Sequence, residues 1–219
     1  MPTLLLRLAG PLQSWGSSSK FEIRGTESEP TKSGVIGMLA AALGRRRDEP
    51  LDDLSALKFG VRVDRPGVLL RDFHTARAVI TEKKTVSYVT YRYYLSDAVF
   101  LAAVESDDVE FLKSIENALE CPVFPLFLGR RSCPPTLPIS LGVKNCTLLE
   151  ALRNENPLID TLGKKTDMRI RCDAPAGRAR KHDVPVSFNV SHRKYGYRYE
   201  TEEVVSFGSD EEHDPMVEL

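Results

Sequence analysis

The sequence is poor in the residues that most often announce a chemistry. Its 219 residues include four cysteines, four histidines and one tryptophan. Cys121, Cys133, Cys146 and Cys172 show no CxxC spacing and no neighbouring histidine pair, so they signal neither a zinc site nor a disulfide framework. They read as the reduced thiols of a cytoplasmic protein. The longest apolar runs, residues 35–43 and 98–104, fall well short of the ~18 residues a spanning helix needs. The opening MPTLLLRLAGP has no basic leader, and Arg7 interrupts its apolar stretch, which argues against a secretory signal. Neither a membrane partner nor a metal or other cofactor is expected. No serine–histidine–acid set and no convergent carboxylate pair can be assembled, so no catalytic residue is expected either.

What remains is an ordinary globular balance, 42% hydrophobic and 28% charged. A chain of this length can bury a core unaided, as one large domain or as one domain with an appendage. The formal net charge of −1 conceals an asymmetry. Residues 1–163 hold 20 basic and 20 acidic side chains, whereas residues 164–199 hold 10 basic ones against Asp167, Asp173 and Asp183. Residues 200–219 then carry eight acidic side chains and no Lys or Arg. A basic segment beside an acidic tail points modestly towards a polyanionic partner, because a local field concentrates phosphate even on a neutral molecule.

Residues 3–8 read as a buried strand ended by the Gly10-Pro11 turn, and residues 13–30 as a long loop. Thr31 offers a helix N-cap, and Val35, Met38, Leu39, Ala42 and Leu43 follow with helical spacing until Gly44. Strands are expected over 59–63 and 68–75, and through 88–104 with a break at Ser96-Asp97; residues 76–87 read as an exposed hairpin or loop. Asp107 or Asp108 caps a second helix, with Phe111, Leu112, Ile115 and Leu119 as its stripe. Thr147 and Glu150 have capping-box spacing for a third. Further strands are expected over 168–172, 184–190 and 195–207. The order predicts an α+β fold of ferredoxin-like type, an antiparallel sheet with helices on one face, over residues 1–145. Residues 146–219 would form a smaller β-rich C-terminal part.

Three constellations suit a nucleic acid. All seven tyrosines fall in two clusters, Tyr88, Tyr91, Tyr93, Tyr94 and Tyr195, Tyr197, Tyr199, each interleaved with Arg or Lys; β-propensity alone also favours such tyrosines. Thr31-Lys32-Ser33-Gly34 sets hydroxyls, an ammonium and free N–H groups at a positive helix end, a sound anion site as well as a plain cap. It lacks the glycines of a P-loop. Arg130-Arg131, held between Gly129 and a Pro-rich stretch, suits bidentate phosphate contacts. Among the histidines only His74, in RDFHT, has a charged strand-end setting.

Four segments together resemble one family: LLLRLAGPLQSWG (4–16), PTKSGVIGMLAAALG (30–44), LRDFHT with YYLSDAVF (70–75 and 93–100), and PLFLGRRSCPPTLP (125–138). They are similar to the Cas5 family of the RAMP superfamily, in the CasD form found in the type I-E CRISPR surveillance complex Cascade. The likeness is collinear over residues 3–142 and loose beyond. It implies a RAMP-type domain with a thumb hairpin at about 76–87, which binds and caps the five-prime handle of CRISPR RNA (crRNA) in antiviral defence. Its implied neighbours are the large subunit and the backbone subunits, with target DNA met only through the complex. In that subtype another subunit cleaves, so the implied role is non-catalytic binding. By position, the resemblance implies Trp15, Lys32, Ser33, Gly34, Arg71, His74, Arg77, Lys83, Lys84, Tyr91, Arg92, Arg130 and Arg131 as RNA contacts. Their chemistry suggests Lys32, Ser33, Arg130 and Arg131 for phosphates, Trp15 or Tyr91 for stacking, and His74 with Arg71 for base or ribose. One alternative is a metal-independent endoribonuclease of repeat RNA, with His74 as general acid or base and Lys83 or Lys84 stabilising the transition state. Another is a pure protein scaffold.

Overall fold

A computed structural model describes residues 1–16, 22–81, 84–162, 164–177 and 179–208. The first strand, β1 (Thr3–Ala9), is apolar at every position except Thr3 and Arg7, because it is buried on both faces. Alternate side chains serve two cores: Leu4, Leu6 and Leu8 enter the larger, Leu5 the smaller. The loop that follows is pinned by two short strands, β2 (Leu12–Gln13) and β3 (Ile23–Arg24). Thr31 then caps α1 (Lys32–Ala42) by accepting from the Gly34 N–H, and Gly44, at φ +77°, ends it in the left-handed conformation that glycine adopts without penalty. A short helix with no counterpart in the sequence reading, α2 (Asp52–Ala56), precedes β4 (Lys58–Arg65).

The next two strands, β5 (Val68–Thr81) and β6 (Lys84–Ser96), form a long hairpin. Of the hairpin or loop expected over 76–87, the structure has the hairpin, as the continuation of these two strands, apart from residues 82 and 83, which lie outside the described residues. The chain returns through β7 (Val99–Glu105), α3 (Val109–Glu120) with Asp108 as its cap, β8 (Ser140–Lys144) and α4 (Leu148–Asn154). Three strands close the fold: β9 (Thr166–Ala174), β10 (Ala179–Ser187) and β11 (Lys194–Phe207).

Seven strands form one antiparallel sheet in the order β10-β11-β9-β4-β7-β1-β8. β6, with β5 on one side and β2 and β3 on the other, forms a second, smaller sheet. Helices α1 and α3 cover one face of the large sheet through the larger core. α4, beyond the residues for which helices on one face were expected, lies on the other face: Leu148, Ala151 and Leu152 pack with Leu5, Leu101, Ala103, Ile170 and Cys172. Two local causes hold it there. Its first N–H, from Leu148, donates to the buried Glu105 carboxylate at 2.6 Å, and Gly60 leaves room for Leu148, whose Cδ2 would stand 2.6 Å from a Cβ at that position. At its other end the buried Arg62 donates to the carbonyls of Leu152, Glu155 and Asn156 while paired with the equally buried Asp64.

Residues beyond 145 continue the same sheet, since β9 pairs with β4, β11 with β9 and β10 with β11. The part expected to begin at 146 therefore adds its strands to the sheet of residues 1–145.

Candidate nucleic-acid interface

The β5–β6 hairpin brings most of the expected contact residues together, and its register sorts them onto two faces. Phe73 lies opposite Tyr91, and Tyr91 opposite Ile23 of β3, so these three form a row across the sheet. Arg71 and Tyr93 form the next row of that face. The Arg71 guanidinium carbon stands 4.1 Å from the Tyr91 ring centroid, a cation–π contact. Phe73 is 67% exposed and Ile23 56%, with Tyr91 half-buried between them, so the row is apolar and aromatic and its two ends are open to solvent. Arg77, further along β5, shares this face and is exposed.

The other face carries the row Arg24, Arg92, Asp72 and, beside it, His74. His74 Nε2 lies 2.6 Å from Asp72 Oδ2, both partly exposed. Strand alternation therefore sets Arg71 and His74, both expected on base or ribose, on opposite faces of the hairpin. Towards the body of the protein this face ends at Tyr94, which is buried under Arg130 at 4.9 Å from its ring centroid. Burial would push the Tyr94 phenol up, but hydrogen bonds from Ser132, Arg130 and Arg92 and the charge of Arg130 together hold it below the ordinary tyrosine value. The buried Arg92 Nε has no hydrogen-bond partner among the described residues.

Several residues have structural occupations instead. Trp15, expected as a stacking platform, is 0% exposed: its Nε1 donates to Gln13 Oε1 at 3.0 Å, and its ring fills the space that a Cβ on Gly34 would take. Gly34 therefore admits a tryptophan rather than an RNA backbone. Arg130, expected on phosphate, donates to the carbonyls of Tyr93, Arg24 and Gly25 at 3.2, 2.6 and 3.0 Å. It is the clasp that holds β3 and β6 against the loop after Gly129. Arg131 beside it is exposed, with no partner among the described residues. Lys83 lies outside the described residues, and Lys84 is the first residue of β6.

The positive end of α1 does hold an anion, but an internal one. Asp183 Oδ2 of β10 accepts from the Lys32 N–H at 2.9 Å, and Lys32 Nζ bonds Asp173 Oδ2 at 2.9 Å. Lys32 is buried, so its expected phosphate contact is corrected, while Ser33 is half-buried with its Oγ 3.4 Å from Thr31 Oγ1. Arg198 joins both aspartates, through Nε to Asp183 at 2.7 Å and Nη1 to Asp173 at 2.9 Å. Burial opposes its charge, yet Asp183, Asp173 and Glu200 hold the guanidinium above its ordinary value. Arg171 bonds Glu29 and Glu202, and Lys181 pairs with Glu27. Much of the basic segment is thus neutralised by carboxylates that are remote in sequence, which the linear charge count could not show.

Sequence reasoning missed Arg24 and Phe73. Arg24 sat in an aperiodic stretch and gave no signal. Phe73 could have been found from the alternation Arg71, Phe73, Thr75 once β5 was taken as a strand.

Residues 3–199 match the family model described as CRISPR-associated protein (Cas_Cas5). Over 156 residues, 64% of this chain and 70% of the relative, the sequence is 38% identical to the CRISPR system Cascade subunit CasD of Escherichia coli (strain K12). A chain of a solved CRISPR RNA-guided surveillance complex superposes with a TM-score of 0.81 at 35% identity, covering 94% of this chain and 91% of that one. A crystal structure of a Cas protein gives 0.75 at 42% identity, covering 93% and 94%.

Proposed function

The chain belongs to the Cas5 family of CRISPR-associated proteins, and on that premise we propose that it is the crRNA-binding subunit of a Cascade-type surveillance complex, holding the five-prime handle without cutting it. The observation that carries this reading is the Arg71–Tyr91 pair beside the open Phe73 and Ile23 on one face of the β5–β6 hairpin. Single-stranded RNA is held by cations on its phosphates and by flat rings against unstacked bases, and this face offers both within one row or two of a sheet. Arg77 and Arg131, and Arg24 and Arg92 on the reverse face, supply further phosphate contacts. The spatial order β4-β7-β1-β8, with α1 and α3 as crossovers on one side, supports a ferredoxin-like RAMP domain. On that reading the β5–β6 hairpin is the thumb, longer than residues 76–87 alone. The large subunit and the backbone subunits are the proposed protein neighbours, target DNA being met through the assembly.

Handle RNA binding by the full chain tests the reading. Arg71→Ala with Tyr91→Ala is expected to lower affinity about tenfold or more, since one stacked base contributes roughly 1–3 kcal/mol. Arg131→Ala is expected to flatten the salt dependence by about 0.7 in log K per log salt, the share of one phosphate. Unchanged affinity and slope in both variants would falsify the proposed interface.

A second reading has one observation in its favour, the 2.6 Å His74–Asp72 pair, in which a carboxylate orients an imidazole near Arg92. Repeat RNA incubated in EDTA separates the two: cleavage abolished by His74→Ala supports a ribonuclease, and intact RNA supports binding alone.

A further inference from the structure

At one edge of the large sheet, the β10–β11 hairpin carries a second aromatic and cationic surface, separate from that of the β5–β6 hairpin. The strand register places Arg180 directly opposite Tyr199. Alternation along β11 then sets Tyr195, Tyr197 and Tyr199 on one face and Arg198 on the other. Arg198 is spent on the ion network beneath, so the two faces have different roles. On the tyrosine face, Tyr197 is held between two groups. The Arg180 guanidinium carbon is 3.9 Å from its ring centroid, and the His182 ring is stacked at 4.3 Å with 24° between planes. His182 Nε2 is itself fixed 3.1 Å from the Tyr195 carbonyl oxygen. This stack is ordered in advance yet open to solvent: Tyr197 is 57% exposed and Tyr199 43%.

Cations predominate along the hairpin, while Glu27 pairs with Lys181, and Asp173 and Glu200 with Arg198. Between residues 179 and 199 Asp183 is the single carboxylate, and it is buried and bound to Arg198 and the Lys32 N–H. Arg180, and Arg193 and Lys194 at the turn of the hairpin, are exposed with no carboxylate partner among the described residues. A partner surface of acidic protein would satisfy the cations but would leave the ordered ring stack unexplained. A strand of unpaired nucleotides uses both, with phosphates on Arg180, Arg193 and Lys194 and bases on the exposed tyrosine and histidine rings.

We propose that the β10–β11 hairpin is a second contact site for single-stranded RNA, taking a further segment of the strand whose end is held by the β5–β6 hairpin. The proposal rests on the handle-binding reading. A strand tethered at the first site meets the second at high effective concentration, so a weak second site still raises affinity for a longer RNA.

The test compares the full chain's affinity for a handle-only oligonucleotide and for the same oligonucleotide extended at its three-prime end. Three forms are used: the parent, Arg180→Ala with Tyr197→Ala, and Arg193→Glu with Lys194→Glu, the last altering only exposed residues at the end of the hairpin. The parent is expected to bind the extended RNA about tenfold more tightly than the short one, the gain of one stacked base with its phosphate. Both variants are expected to lose that gain while binding the short RNA as the parent does. If parent and variants show the same ratio, the second site is wrong while the handle reading stands. Displacement of the extension by an acidic peptide but not by free single-stranded RNA points to a protein partner and also overturns the proposal. A parent that binds neither oligonucleotide overturns both readings.

Discussion

At the scale of single residues, the position of a side chain in the fold decides what it can do more than its type does. Trp15 and Tyr91 are both aromatic rings in segments that resemble the family, and only Tyr91 can meet a ligand. Trp15→Ala is expected to destabilise the protein by roughly 3–5 kcal/mol, read as a lower urea midpoint, because the ring fills a closed space against Gly34. Tyr91→Ala, at a half-buried position, is expected to cost about 1 kcal/mol, well below the tryptophan, and to lose RNA affinity. The opposite pattern would exchange their roles. Arginines divide in the same way: Arg130 satisfies three carbonyls, whereas Arg131, next in the chain, faces water.

At the scale of elements, carboxylates fasten the helices. Asp183 occupies the start of α1 and joins β10 to it through the Lys32 N–H and Arg198. Asp183→Asn leaves Arg198 facing one aspartate fewer in a buried setting, a change expected to cost about 3–5 kcal/mol, measured by chemical unfolding. A loss below 1 kcal/mol would mean that the neutral amide oxygen serves that junction as well as the carboxylate. The surface analogue lies between Arg45, just beyond α1, and Asp53 in the first turn of α2, joined by two hydrogen bonds. The hydrogen-bonded Arg45 guanidinium holds the Asp53 carboxyl below its ordinary value. The contribution of the pair is therefore present above the ordinary carboxylate range and is lost as pH falls through that lowered value. The thermal midpoints of the parent and Asp53→Asn are expected to differ slightly at neutral pH and to converge in strong acid. A gap that persists unchanged in acid assigns the effect to the first turn of α2 rather than to charge.

At the scale of the whole molecule, the strands after residue 145 complete the sheet. They cover the free edge of β4, supply Ile170 and Cys172 to the smaller core, and bring Asp173 and Asp183 to Lys32. Residues 1–145 expressed alone would expose a long strand edge, lack α4, and leave Lys32 without its carboxylate. Aggregation on size-exclusion chromatography is expected, and a monodisperse, cooperatively melting fragment would establish residues 1–145 as an independent domain. The same strands carry the β10–β11 surface, so the unit that completes the fold also presents the second aromatic and cationic face.

Local information sufficed for much of this protein. Caps at Thr31, at Asp107 or Asp108 and at Thr147, the stop at Gly44, the apolar stripe of α3 and the break before β7 are short-range patterns, set by hydrogen bonds and φ preferences within a few residues and legible in the chain itself, the structure choosing Asp108 of the two. So was the resemblance carried by four collinear motifs. Tertiary structure alone decided which charges remained available. Lys32 finds Asp173, and Arg171 finds Glu29, across more than a hundred residues, because strand register brings β9 and β10 beside the start of α1. Register likewise placed Arg71 with Tyr91 on one face and His74 on the other, and sent Trp15 inward. Burial and pairing depend on what the rest of the chain brings alongside, and the local sequence of a binding residue does not contain that information.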